Sequence, residues 1–211
     1  LDLFPNTLYY FQTSGTRREA GLSLMERKLN LLESLGYVEP GGLTDKGEFG
    51  SYLYGYELLL TELHSQGLLE ELDAPTLAVL LVATVYEPRP SLEPIRVSGL
   101  SKRLQKLCEP PLAYIHRAEN EFRAHPKAKA PHFQLATAME AWFHGSPFPR
   151  LTKLSDVDEG EIVRYFRMTV QLLRQLIDAP AVDDILRKKA RLALTRINRD
   201  VVDAEQQLRL G

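Results

Sequence analysis

Arg164, Arg167, Gln171 and Arg174 recur along the chain at spacings of three, four and three residues. On a helix such spacing aligns the side chains along one face, in a row roughly 15 Å long at about 1.5 Å of rise per residue. A guanidinium forks onto phosphates or stacks flat on a base, and a glutamine amide reaches base or sugar edges. The chemistry open to this row is therefore the gripping of a nucleic-acid strand, not bond making. Surface helices often place Glu or Asp three or four positions from such cations, and no acidic residue stands within the row itself. The plainer alternative is a solvated polar face of the kind every amphipathic helix presents. Periodicity alone leaves both readings open.

Other chemistries find less support. His64, His116, His125, His132 and His144 show no HExxH or comparable ligand spacing, so no metal site is expected. His144, beside Gly145, reads as a helix C-terminal residue favoured by the dipole, and Asp183-Asp184 as acidic residues at a helix start. No Ser-His-Asp or Cys-His set stands out. A phosphate-cradling loop needs GxxxxGK[ST], which Gly41, Gly42, Gly47 and Gly50 do not match, and Lys46 precedes Gly47 in the wrong order. No catalytic residue, metal or cofactor is expected in this chain. Arg187, Lys188, Lys189, Arg191, Arg196 and Arg199 read as a solvated face near Asp200 and Asp203, with a second phosphate-contacting surface as the minor alternative.

The 211 residues suffice for one large domain or two small ones with a real core. A net charge of −2 provides no global basic field, so any nucleic-acid contact must come from a local stripe. The single Cys108 excludes an internal disulfide and fits a reducing, cytoplasmic setting. The longest apolar stretch, 77–85, is far short of the ~20 residues that cross a bilayer. No secretory leader is expected, and the opening Leu1 suggests a piece of a longer protein.

The elements that must position the row follow from periodicity and punctuation. Residues 1–20 lack periodicity and read as a linker or an unpaired strand. Ser23 and Glu26 have the offset of a capping box, ahead of Met25, Leu29, Leu32 and Leu35 at helical spacing and a closing Gly36. Tyr37-Val38, the turn at Pro40-Gly41-Gly42, and Thr44 as a cap then suggest the end of a winged-helix-like unit. A helix over 45–66 should point Phe49, Tyr52, Leu53, Tyr56, Leu60 and Leu63 inward. Asp73 should cap a third helix, apolar on nearly every face and ended by Pro88. The proline-rich 88–94 is the best candidate boundary.

Beyond it, a helix over 101–108 should break at Pro110-Pro111 and resume over 112–124, burying Leu112, Ile115 and Phe122. A spacer at 126–131, a helix over 132–144, a turn at 148–154 and helices over 156–178 and 181–208 complete the chain. In the helix over 156–178, Ile162, Tyr165, Phe166, Thr169, Val170, Leu172, Leu173, Leu176 and Ile177 fall opposite the polar row. Strand signals are almost absent. The class is all-α, a helical bundle preceded by the end of a winged-helix-like unit, divided as 1–20, 21–90 and 91–211.

Several runs together resemble a known family. Ala141-Trp142-Phe143-His144-Gly145, the segment SDVDEGEIVRYFR at 155–167, and Arg199-Asp200-Val201-Val202 look like the DSHCT domain. That is the C-terminal helical domain of Ski-type and Dob-type RNA helicases and their bacterial HelY-like relatives. Leu35-Gly36-Tyr37, Leu43-Thr44 with Lys46-Gly47, and YELLLTEL at 56–63 agree in order. The resemblance implies a parent with two RecA-like ATPase domains holding ATP and magnesium, and a ratchet helix over 156–178 whose polar face lines the RNA path. It directs Arg164 and Arg167 toward single-stranded RNA, with DNA an open alternative; Gln171 and Arg174 join from the helical wheel. Gly160, on the same side, would leave room for the strand. The run Met168-Thr169-Val170-Gln171 and the ending Gln207-Leu208-Arg209-Leu210 depart from the family pattern and favour a HelY-like parent. A helical adaptor binding the ATPase core or an acidic protein remains the alternative function.

Overall fold

The computed structural model describes residues 7–12, 14–88, 98–180 and 182–204. Helices carry nearly all of its regular structure: α1 (Leu8–Gln12), α2 (Gly15–Ser34), α3 (Asp45–Ser51), α4 (Glu57–Ser65), α5 (Ala74–Val85), α6 (Gly99–Glu121), α7 (Ala136–Phe143), α8 (Phe148–Leu151), α9 (Glu159–Asp178) and α10 (Asp184–Ile197). Between α2 and α3, β1 (Val38–Glu39) and β2 (Gly42–Leu43) form a minimal antiparallel hairpin, with Val38 opposite Leu43. The all-α reading holds. Among the described residues no helix is long and apolar enough to cross a membrane.

At the centre lies α5. The Asp73 carboxylate accepts from the Thr76 N–H at 3.0 Å and starts the helix as expected. Leu77 through Ala83, with Val85 and Tyr86, are all buried. A helix apolar on every side must be covered on every side, and α7, α9 and α10 pack against it. The main core therefore joins the first half of the chain to the second.

A smaller polar knot ties α2, the hairpin, α3 and α4. Glu62, only 3% exposed, accepts from the Tyr37 hydroxyl at 3.1 Å and pairs with Lys46 at 2.6 Å. Lys46 also donates to the Leu35 carbonyl at 2.8 Å and lies over the Tyr37 ring. Burial, and then the Glu62 charge, push the Tyr37 hydroxyl pKa far up, so it stays a donor. Gly47 has a structural role here: a Cβ on it would lie 2.0 Å from the Tyr37 carbonyl oxygen. Gly50 would meet the Thr61 hydroxyl at 3.0 Å.

Several local expectations differ from the structure. The stretch read as linker or strand is helical over Leu8–Gln12, and α2 begins at Gly15, so Ser23 and Glu26 lie inside a helix and form no cap. Residues 1–6 and 13 of that stretch lie outside the described residues. Only the end of α2 packs, through Leu31 and Leu35, which leaves Met25 43% exposed. The helix expected over 45–66 is two helices, parted at a turn where Gly55 takes φ +86°. Tyr52 consequently faces outward.

Conversely, α6 runs unbroken through Pro110 and Pro111. A proline inside a helix costs about 3 kcal/mol. Against this, Leu104, Cys108, Pro111, Ile115 and Ala118 form a buried stripe at spacings of four, three, four and three. Pro111 belongs to that stripe, and Ser98 caps the helix. Of the residues expected inside, Ile115 is buried while Leu112 and Phe122 are half-buried. The proposed boundary at 88–94 falls largely outside the described residues, which resume at Ser98. At the far end, α10 stops at Ile197, short of the 208 expected; Asn198 follows in a non-helical conformation.

Trp142 on α7 is the largest wholly buried side chain, and its indole N–H donates to the Ile197 carbonyl at 2.8 Å. Trp142→Ala should destabilise the fold by roughly 3–5 kcal/mol, read by urea unfolding. A loss below ~1 kcal/mol would show that α7 contributes little to the core.

Candidate nucleic-acid interface

Glu159 and Glu161 in the first turn of α9 suit the positive end of its dipole, and Pro180 follows the C-cap Ala179. Its inner face follows the wheel. Ile162, Tyr165, Phe166, Thr169, Val170, Leu172, Leu173 and Leu176 are buried, and Ile177 is half-buried. The Thr169 hydroxyl donates to the Tyr165 carbonyl at 2.8 Å, so a polar residue on this face is satisfied within the helix.

The outward face holds Gly160, Arg164, Arg167, Gln171 and Arg174, in differing circumstances. Arg164 is 60% exposed, lies 3.9 Å from Glu161 and reaches over the Tyr165 ring at 5.2 Å. This acidic neighbour, three residues before the row, was readable in the sequence. At 3.9 Å, with Arg164 largely in solvent and Glu161 20% exposed, the pair contributes about 0–1 kcal/mol. Gln171 is exposed and Arg174 half-buried. A Cβ on Gly160 would meet nothing within 4 Å, so no contact within the described fold calls for a glycine there.

Arg167 is differently engaged. Its Nε donates to the Val202 carbonyl at 3.2 Å and its Nη2 to the Val201 carbonyl at 2.7 Å. These carbonyls belong to a 3-10 turn, Asp200–Val202. On the other side of this turn Arg199 donates to the carbonyls of Trp142 at 2.8 Å and Ser146 at 2.9 Å, with its guanidinium 3.4 Å from the centre of the Trp142 ring. Three separate runs of the resemblance thus meet in one fastening. The solvated face expected of the last basic residues needs correction in part: besides Arg199, Lys189 donates to the Glu70 carbonyl at 2.5 Å and Arg187 to the Ala179 carbonyl at 3.4 Å. Lys188, Arg191 and Arg196 are exposed as expected.

Arg167, Val170, Gln171 and Arg174 line a recess of about 90 Å³, closed by Asn198, Val202, Asp203 and Ala204. At the opposite end of the row, Tyr165, next to Arg164, reaches the backbone of a residue paired with another cation. Lys129 pairs with Glu87, whose backbone carbonyl accepts from the Tyr165 hydroxyl at 3.2 Å. The Lys129 hydrogen bond and charge, assisted by Arg164, hold the Glu87 carboxyl below its usual range. Burial, and then the Glu87 charge, raise the nearby Tyr56 hydroxyl. Sequence reasoning passed over Lys129 because a spacer has no periodicity to assign its side chain a direction.

The fold and this helix define an all-α bundle module that presents a cationic face. A family model, the DSHCT (NUC185) domain, matches residues 41–205, and the chain belongs to that family. It is 30% identical over 197 residues to the ATP-dependent RNA helicase mtr4 of Schizosaccharomyces pombe, covering 90% of this chain and 18% of that protein. Similarity to the exosome RNA helicase MTR4 of Homo sapiens is 30% over 70% of this chain and 15% of the relative. The human superkiller complex protein 2 is 28% identical over 84% of this chain and 15% of its own length. The chain thus spans less than a fifth of the length of each of these relatives.

Replacing Arg167 by Met should remove both hydrogen bonds to the 3-10 turn and cost about 1–3 kcal/mol. Hydrogen exchange at residues 200–203 should accelerate. Arg164→Met should change neither quantity; equal effects from the two variants would remove the distinction drawn between them.

Proposed function

We propose that this chain is the accessory domain of an ATP-dependent RNA helicase and contacts single-stranded RNA along the outer face of α9. The observation that carries the reading is the outward line of Gly160, Arg164 and Gln171, with Arg174 at its end, on a helix whose opposite face is buried. Arg164, Gln171 and Arg174 would meet phosphates and bases, while Arg167 meets the strand as the base of the same row and braces it. The relatives' names support RNA over DNA. ATP and magnesium belong, on this reading, to RecA-like domains of a longer, cytoplasmic chain. Nucleotide binding within this chain has no support from its glycines: Gly47 and Gly50 are accounted for by close packing, and Lys46 is engaged with Glu62.

Few cations take part, so binding by the domain alone should be weak and salt-dependent. Three phosphate contacts predict a log–log salt slope of about −2 on a single strand. Arg164→Glu combined with Arg174→Glu should lower affinity for a single-stranded RNA at least tenfold and flatten that slope. Unchanged binding by the double variant would exclude this face as the RNA surface. Within the longer helicase, Gly160→Leu should slow unwinding by filling the strand path, with the melting temperature of the domain nearly unchanged. Normal unwinding would remove the clearance role of Gly160.

A second reading, docking onto the ATPase domains, draws support from the outer face of α10. Ile185 and Leu192 are 59% and 47% exposed there, one heptad apart. Capture of the separately expressed ATPase domains by this chain, lost on Ile185→Asp, would favour it.

A further inference from the structure

Six basic residues fall on α10 and just beyond it, and the fold uses only those that face a neighbouring element. Lys189 donates to the Glu70 carbonyl at 2.5 Å, Arg187 to the Ala179 carbonyl at 3.4 Å, and Arg199 to the carbonyls of Trp142 and Ser146. Lys188, Arg191 and Arg196 are exposed, and their side chains make no hydrogen bond or ion pair among the described residues. Ile185 and Leu192 stand between them, 59% and 47% exposed. We infer that this outer face of α10 docks an acidic amphipathic helix of a separate protein. Docking by this face is common to the second reading; the partner differs, and RNA contact by α9 is not required.

Three features support the assignment. First, one rigid helix fixes the positions. At about 100° per residue, Ile185, Leu192 and Arg196 fall within ~40° of one another, with Lys188 and Thr195 beside them and Arg191 beyond. The opposite side, Leu186, Ala190, Ala193 and Ile197, is buried as α10 packs against α5, α7 and α9. The Asp183 carboxylate caps the first turn by accepting from the Leu186 N–H at 2.6 Å. Little backbone freedom is left to lose on binding. Second, the apolar pair has the spacing of a helix seam. Seven residues apart, Ile185 and Leu192 take equivalent places in successive heptads, and Arg191 and Arg196 take the flanking places whose charges select a partner helix. Glu or Asp at the partner's own flanking places meets both guanidinium groups. Within α10 the only carboxylate is Asp184, in the first turn, and it pairs with none of the three exposed cations. Third, the apolar side chains are aliphatic. No ring lies within α10 to stack on a base, whereas Leu or Ile on a partner helix buries against Ile185 and Leu192. A protein helix suits this face better than a single strand.

The test uses the 211-residue chain and a fluorescein-labelled synthetic helix of about three heptads, with leucine on its seam and glutamate at the flanking positions, followed by anisotropy. A second peptide carries lysine in place of glutamate. The glutamate peptide should bind and the lysine peptide should not. Ile185→Asp with Leu192→Asp should weaken binding at least tenfold. Arg191→Glu with Arg196→Glu should do the same and restore binding of the lysine peptide; circular dichroism melting checks that the variants fold. Absence of glutamate-peptide binding, equal binding of the two peptides, or charge reversal without effect overturns the proposal. Displacement of the glutamate peptide by the separately expressed ATPase domains also overturns it, and returns the face to the second reading. Loss of oligouridine binding on Arg191→Glu/Arg196→Glu, with the glutamate peptide unaffected, overturns it in favour of an RNA surface. None of these outcomes alters the Arg164 and Arg174 measurement, so the α9 reading is decided separately.

Discussion

The architecture depends on α5 having no side that tolerates water. Leu77 to Ala83 are buried without a gap, so the helix cannot lie on a surface and must be enclosed. Enclosure sets the positions of α7, α9 and α10 together. Because α9 gives one face to this enclosure, its polar row falls on the opposite side, where Arg164 and Gln171 are exposed while the turn at 200–202 covers Arg167. The placement of the row is thus a by-product of how the core is closed.

The runs that carry the resemblance are largely fasteners. Leu35-Gly36-Tyr37, Lys46-Gly47 and the Thr61-Glu62 pair come together where Tyr37, Lys46 and Glu62 share hydrogen bonds and Gly47 admits the Tyr37 carbonyl. Trp142, Arg167 and Arg199 with the turn after it form the second knot. A polar group buried without partners costs about 1–3 kcal/mol, so such knots depend on every member being present. The second knot also separates Arg167, held by the fold, from Arg164, which the fold leaves largely in solvent.

How legible this was in the sequence depended on the range of the forces involved. Asp73 and Thr44 as caps, the enclosed α5, and the buried face of α9 follow from local hydrogen bonding and periodicity, and all are found. The continuity of α6 through two prolines was hidden because a tertiary stripe outweighs a local penalty. The split at Gly55 was missed because helical periodicity continues across the turn, from Leu53 to Leu60 and Leu63. For the row, direction was readable and engagement was not. No spacing rule indicates that Arg167 meets the carbonyls of residues 201 and 202, whereas the Glu161 beside Arg164 was within reach of one.

The double arginine clamp around the 3-10 turn has a mechanical consequence. A sideways pull on α9 cannot simply roll the helix about its axis, because Arg167 anchors it to the turn and Arg199 anchors the turn to the indole inside α7. Load applied at the surface is carried along guanidinium-to-carbonyl links into the buried core around Trp142. The helix behaves as a braced strut, tied at its outer face to the turn and through the turn to the core.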